Sequence, residues 1–559
     1  MHPVLQIQDI VWNIFGHCCL PTRASATSDL PALARTCRAF KEPALDVLWE
    51  ELLDPSPLAQ CLPKASSQVD DVSRFPISAT FYLIVNVFSY CSTKCYSFHR
   101  PLTQIEWGIL RSYTRRIRSI SDDKDALDWK SVRTFLNPRT TEPLFPNLRH
   151  LYTTQSTEIK HFLCMPFPSL SSFTVDFIDE DQDPFVLQGP LESFSKSSPN
   201  ISRLSIYLSL PDAAFSNFFS SYIRQWQDLR DVDCPIIDLD LDALVHLSHM
   251  PALTQLKCTP CVGLPASDKP LVFSNLHYLK LYSASLESIS RLLSRIRLPA
   301  MTEFYISVPT CPPKENFFSC LLASVQTSVI DHNIRELGVD QTFDDEQDEK
   351  VTPIVLDLED LKPCMAFSNL RCLSINLAWH VNLTDSDLLT LASAWPHLER
   401  LHINVDFGWK TRSGITPHGL VQLLQTCRSL HRIALAIDTF GFTEFHGSRA
   451  SLGLPRPPKL FINVLDSFIE AESVPAMAAV FAAIAPSSPS NFSFTAHHSA
   501  WIVRIEEKAR WYDAYRRGYD TLGQHSQFSF GYRDIEPEDG DSDIPSMSDD
   551  DSESFEEGD

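Results

Sequence analysis

The sequence predicts an α/β chain in three parts: a short all-helical module, an irregular solenoid of strand-and-helix repeats, and a disordered acidic tail. Three observations predict it. The first fifty residues carry three apolar stripes at helical spacing. From about residue 111 onward one L-x-x-L-x-Φ pattern, Φ being apolar, keeps returning. Of the net charge of −23, a run of 13 acidic residues with no Lys or Arg falls within residues 534–559.

The helical module comes first. Ile7, Ile10, Val11 and Ile14 stand at i, i+3, i+4 and i+7. So do Leu30, Leu33, Ala34 and Cys37, and again Leu45, Leu48, Trp49 and Leu52. At 3.6 residues per turn, each set forms one face of a helix. Asp29 is placed to cap the second helix, with Pro31 tolerated in its first turn. Pro43 is expected to end that helix and open the third. So small a module does not bury three stripes by itself. Full burial of a Leu side chain contributes roughly 1.5–3 kcal/mol, so a partner or the following domain should cover part of the surface. A helical cap on the next domain satisfies the spacing equally well.

Residues 54–110 read as a connector broken by Pro55, Pro57, Pro63 and Pro76. Its apolar run at 81–88 suits a buried strand or a helix alike. The repeats follow, as FPNLRHLY from Phe145, MPALTQLK from Met250, FSNLRCLSI from Phe367 and WPHLERLHI from Trp395. Their first apolar anchors are Leu148, Leu170, Ile201, Leu229, Leu253, Leu276, Met301, Ile334, Leu370, Leu398 and Leu430. Ten intervals over this span average about 28 residues, inside the range of solenoid repeats. A short strand turns alternate side chains inward, and amphipathic segments such as 285–296 and 384–395 return the chain. Neither apolar face is buried until neighbouring units stack. An ordinary α/β domain is the simpler reading, set against eleven recurrences. Residues 475–485 read as one more repeat helix. Trp501, Ile505, Tyr512, Tyr515 and Tyr519 form an aromatic stripe, read as a capping helix within 496–532. Residues 533–559 are too acidic and too poor in apolar groups to fold alone; Ser548 and Ser554, each with an acid three residues on, suit acidophilic kinases.

The first stretch resembles an F-box. The resemblance rests on Pro3 leading the first helix, on Leu33-Ala34-Arg35-Thr36-Cys37-Arg38-Ala39-Phe40, and on the closing Leu48-Trp49. The usual opening Leu-Pro is His2-Pro3 here, and the spacer at 19–28 is long. F-boxes bind the Skp adaptor of SCF ubiquitin ligases. The resemblance therefore implies that Pro3, Ile7, Ile10, Ile14, Leu33, Cys37, Leu45, Leu48 and Trp49 contact the adaptor or form the motif core. Residues 111–439 resemble leucine-rich repeats, though the laddering Asn is replaced by Ser156, Ala284, Ala378 and Asp406, and spacings run from 22 to 36. The combination is similar to the F-box/leucine-rich-repeat proteins of mushroom-forming (basidiomycete) fungi. It implies modules at 1–53 (F-box) and 111–495 (solenoid), a Skp-family adaptor and cullin core as partners, and a protein target of the solenoid.

Composition excludes other classes. Phosphate contacts need a basic face, and this chain is acidic, so no nucleic-acid role is expected. The 15 cysteines are scattered and odd in number, and no secretory leader opens the sequence. A reducing cytoplasmic or nuclear setting is expected. No apolar run reaches the roughly 20 residues that span a bilayer. No phosphate loop, zincin or nucleophile-elbow motif occurs. Cys258-Thr259-Pro260-Cys261 lacks a second pair at zinc-ribbon spacing, and Cys91 with Cys95 is weaker still. No catalytic residue, metal or cofactor is expected, and function is assigned to the strand face. Residues flanking the inward positions point outward there: Tyr278, Lys280 and Tyr282; Glu303 and Tyr305; Arg400, His402, Asn404 and Asp406. Tyr and Arg are common binding anchors, and rigid strands position them. For any one of them a merely solvated side chain is the simpler reading.

Overall fold

A computed structural model describes residues 8–17, 29–53, 56–62, 67–71, 94–98, 100–122, 132, 142–154, 163–177, 188–208, 213–260, 270–283, 286–309, 317–330, 333–342, 354–454, 460–484, 491–493 and 505–520. Among the described residues fifteen strands form one sheet in strict sequence order, and every neighbouring pair is parallel. They are β1 (Glu51–Leu52), β2 (Ser119–Asp122), β3 (His150–Thr153), β4 (Ser172–Phe177), β5 (Arg203–Leu208), β6 (Asp231–Leu239), β7 (Gln255–Pro260) and β8 (Tyr278–Tyr282). Then come β9 (Glu303–Val308), β10 (Glu336–Gln341), β11 (Cys372–Asn376), β12 (Arg400–Ile403), β13 (Arg432–Ala434), β14 (Phe461–Asn463) and β15 (Asn491–Ser493). This is a parallel α/β solenoid, the architecture that the leucine-rich-repeat resemblance implies. It begins before the expected start at 111 and continues after the last anchor.

The repeat motif has a mechanical basis. In FPNL, WPHL and their relatives the anchor's N–H donates to the carbonyl three residues back, as Leu370 does to Phe367 at 3.0 Å and Leu398 to Trp395 at 3.1 Å. That is a β-turn, for which Pro at the second position is preset. The turn's first residue and the anchor both point inward: Phe145, Phe167, Phe367, Trp395 and ten of the eleven anchors are at most 1% exposed, and Leu253 is buried with them. Three residues on, the inward strand positions lie in one register, Leu279 opposite Phe304, Phe304 opposite Leu337, Leu337 opposite Leu373 and Leu373 opposite Leu401. The missing Asn ladder is replaced in part by turn side chains: Asn147, Asn200 and Asn275 donate to carbonyls of the preceding turn at 2.6–3.1 Å. Helices close the other layer, among them α5 (Gln188–Ser197), α6 (Ala213–Ile223), α7 (Leu241–Ser248), α8 (Leu286–Arg295), α9 (Phe317–Ser328), α10 (Asp385–Ala394), α11 (Pro417–Thr426) and α12 (Val474–Ile484).

The module consists of α1 (Gln8–His17), α2 (Asp29–Thr36) and α3 (Arg38–Leu48). Its small core joins Val11, Phe15, Leu30, Ala44 and Val47, with Phe15 edge-on to Phe40 at 5.4 Å. Three expectations are corrected. The buried stripe of α1 is Val11 and Phe15, while Ile14 is 45% exposed. The break between α2 and α3 falls at Cys37, whose backbone is extended, and Pro43 lies inside α3. Because α3 starts only five residues earlier, Pro43 forfeits one early hydrogen bond rather than a mid-helix ladder. Leu52 sits in β1, so the chain passes from helix to sheet within four residues.

The end of α3 faces the solenoid. Trp49 is 8% exposed and stacks on Tyr113 at 4.6 Å, and Leu45 and Leu48 pack on the same core. Tyr113 belongs to α4 (Gln104–Thr114), which runs across the expected boundary between connector and solenoid at 110 and starts with a Thr103/Glu106 capping box. The run at 81–88, with Cys91, lies outside the described residues; Cys95 is on a strand, Lys94–Phe98, paired antiparallel with Ser67–Asp71. At the other end α13 (Ile505–Asp520) lies on α12. Its buried stripe is Trp511, Ala514, Tyr515 and Gly518; of the expected stripe, Tyr515 is buried and Tyr512 half-buried, while the side chains of Ile505 and Tyr519 lie outside the described residues. Gly518 permits the approach, since a Cβ there would stand 2.6 Å from the Ala478 carbonyl. Trp511 donates its indole N–H to Ser467 at 3.1 Å. Trp501 and the tail lie outside the described residues.

Candidate functional site

The outward positions of β5–β12 are joined side by side. The Tyr207 hydroxyl donates to Asp233 Oδ2 at 2.8 Å, and Lys257 Nζ meets the same oxygen at 2.6 Å. Lys257 also lies over the Tyr278 ring at 5.8 Å. Tyr278 stands 5.4 Å from Tyr305, whose hydroxyl donates to Glu336 Oε2 at 2.6 Å. Arg400, two strands further, closes the run by pairing with the other Glu336 oxygen. Adjacent strands are about 4.8 Å apart, so the Arg side chain spans the intervening Cys372. A parallel set joins Lys280, 5.0 Å over the Tyr282 ring, to Asp340, which also accepts from Ser307 at 2.6 Å.

The register explains these meetings. Tyr305 lies opposite Gly338, and a Cβ on Gly338 would come within 2.4 Å of the Tyr305 ring. The glycine lets the ring lie across β10 and reach Glu336. Glu303 and Glu336 are opposite each other in the same ladder. Burial, then the Glu336 charge, raises the Glu303 carboxyl above its usual range. Burial first, then neighbouring carboxylates, pushes Tyr278 up to about 12. Tyr207, Tyr282 and Tyr305 are raised in the same direction, burial leading in each. Burial followed by Arg400 and Arg432 lowers His402. At neutral pH the face therefore presents neutral phenols and a neutral imidazole, with its cations paired to acids.

The sequence-predicted strand residues are brought together by this geometry, with one correction. Asn404 is 0% exposed and its backbone is left-handed, with φ 56°. Its side chain accepts from the Leu377 N–H at 3.1 Å and donates to Trp379 O at 2.8 Å. It is an internal bridge, because β12 ends one residue before it. Asp406 bonds Asn376. Sequence reasoning missed Tyr207, Asp233, Lys257, Glu336 and Gly338; alternation placed them outward, but nothing local signalled which would meet.

The predicted adaptor residues divide. Pro3 and Ile7 lie outside the described residues. Ile10 is half-buried and Ile14 exposed on α1, and Leu33 and Cys37 are half-buried at α2. Leu45, Leu48 and Trp49 face the solenoid core. Where module and solenoid meet, a cleft of about 640 Å³ is lined by residues including Trp12, Glu42, Asp46, Arg115, Arg118 and Arg149. Arg116, its side chain only 8% exposed, pairs across it with Glu42 and Asp46.

Among the described residues no group of three His, Cys, Asp or Glu side chains is placed to hold a metal ion. No described helix is long and apolar enough to cross a membrane. Cys258 is buried, its thiol pushed up to about 12, and Cys261 lies outside the described residues.

No family model matches the chain, and no curated protein does. Solved structures to which it is similar include an internalin (inlF) from Listeria monocytogenes, 12% identical, covering 63% of this chain and 76% of that one at a TM-score of 0.29. TLR13 in its complex with ssRNA13 is 12% identical and covers 71% of this chain at a TM-score of 0.33; the match takes in about half of the TLR13 chain (51%). The tropomodulin C-terminal domain from Caenorhabditis elegans is 12% identical, covering 43% of this chain and 96% of that one at a TM-score of 0.16.

Proposed function

We propose that the chain is a non-catalytic protein-binding receptor whose strand face holds a protein target. The observation that carries this reading is the cross-strand run from Tyr207 to Arg400. Ion pairs and stacked rings fix these side chains before any partner arrives, so less rotamer entropy is lost on binding. Half-buried Tyr and Arg on rigid strands suit a protein surface.

The finer proposal is that the target is presented for ubiquitin transfer, with the helical module docking a Skp-family adaptor of a cullin ligase in the cytoplasm or nucleus. Its support is the F-box resemblance together with Ile10 and Ile14, which the small core leaves on the outer side of α1. Catalysis would then be proximity: the receptor makes transfer effectively intramolecular. A second reading, an interaction scaffold that never joins a ligase, draws on the packing of Leu45, Leu48 and Trp49 against the solenoid, as in a simple cap.

Titration calorimetry of the full chain with purified Skp adaptor separates the two. The receptor reading expects binding that Ile14→Asp weakens at least tenfold without changing the melting temperature. Absence of binding by the folded wild-type chain leaves the scaffold.

A further inference from the structure

The residue after each anchor forms a second row, at the edge of the sheet where the strands begin. Backbone bonds place its members in line: Arg149 N–H donates to Arg118 O at 2.8 Å, Arg335 N–H to Thr302 O at 2.7 Å, and Arg371 N–H to Arg335 O at 2.7 Å. Of the twelve members from Arg118 to His431, five are arginine, at 118, 149, 230, 335 and 371; two are His, four are Ser or Thr, and Glu399 is the single acid. The whole chain has only 47 Lys and Arg in 559 residues, so the repeat position, not composition, gathers them. Arg118 pairs with Glu50 at 3.5 Å and Arg371 with Glu399 at 3.1 Å. Arg149, Arg230 and Arg335 are exposed, and none forms an ion pair among the described residues.

We propose that residues 534–559 of the same chain dock along this arginine row. The charge is complementary: 13 carboxylates and no cation meet a row of five arginines and one acid, in which Arg149, Arg230 and Arg335 form no ion pair among the described residues. The reach suffices. Eleven strand steps of about 4.8 Å make a row of roughly 53 Å. Twenty-six extended residues cover about 85 Å, and residues 521–533, leaving α13 at the solenoid's end, add about 45 Å more. Attachment to the same chain supplies a local concentration on the order of millimolar, enough to offset weak, salt-screened contacts. Arg230 and Arg335 directly precede Asp231 and Glu336 of the strand face, so a docked tail lies along the rim of the surface proposed to hold the target.

The test uses two full-length chains, the wild type and a variant with all 13 tail carboxylates changed to Asn or Gln, and a fluorescent peptide of residues 534–559. The peptide should bind the neutralised variant at about 0.05 M salt, weaken at least tenfold at about 0.5 M, and bind the wild type at least tenfold less tightly because its own tail competes. Adding Arg149→Glu, Arg230→Glu and Arg335→Glu to the neutralised variant should abolish binding, and Arg→Lys at the same positions should retain most of it. Equal binding to both chains would overturn the proposal, leaving a row that takes acidic partners in trans. Absence of binding to the neutralised variant, or binding that survives the three Glu substitutions, would overturn it too.

Discussion

Tyr305 shows how one residue depends on its register. Its ring covers Gly338 and its hydroxyl reaches Glu336. Gly338→Ala is expected to displace the ring and cost about 1–3 kcal/mol, as overpacking does, with loss of near-ultraviolet circular dichroism from Tyr305. Wild-type dichroism in that variant would contradict the stacked ring. Protonation gives a second residue-scale prediction. Burial lowers His402 from its ordinary 6.5, so the unfolded chain takes up the proton first. The stability from this group is complete above about pH 6.5 and is lost as pH falls toward the lower folded value. His402→Asn should flatten part of that slope in thermal melts; His150 and His380, lowered by burial as well, retain the rest. The tyrosines act in the opposite direction. Their raised folded values make stability complete below about pH 10 and progressively lost above it. That Tyr278, Tyr305 and Arg400 face outward was legible from alternation alone. That Arg400 would meet Glu336, 64 residues away, was not, because the pairing depends on irregular loop lengths that no local pattern fixes.

At the scale of elements the anchors were the most legible feature, since one buried position recurs in each unit and one turn bond in six of the eleven. Helix boundaries in the module were less so. The break falls at Cys37, where the backbone is extended and no side chain caps α3, and Pro43 is tolerated inside that helix. Likewise the stripe expected for α13 shares Tyr515 with the one that meets α12 but omits Trp511 and Gly518; close approach by a glycine leaves no apolar signal. Trp49→Ala removes the side chain that seats α3 on Tyr113 and is expected to cost about 3–5 kcal/mol. Differential scanning calorimetry should show the loss as a lower or split transition. A change within about 0.5 kcal/mol would mean the module rests on the solenoid without being held by it.

Over the whole molecule the parallel register from Leu151 to Phe492 makes stability a sum of neighbouring interfaces. Leu373→Ala, at a fully buried central position, should cost about 2–5 kcal/mol and divide denaturant unfolding into two steps, whereas Ile462→Ala near the end should shift it without dividing it. The same continuity separates two surfaces: α1 and α2 at one end, the Tyr207-to-Arg400 run along the sheet. That separation is the central claim, and hydrogen exchange of the full chain with and without purified Skp adaptor tests it most directly. The account predicts added protection over residues 10–17 and 30–40, with exchange in β5–β12 unchanged. Protection on the strand face instead, or no complex at all, would contradict it.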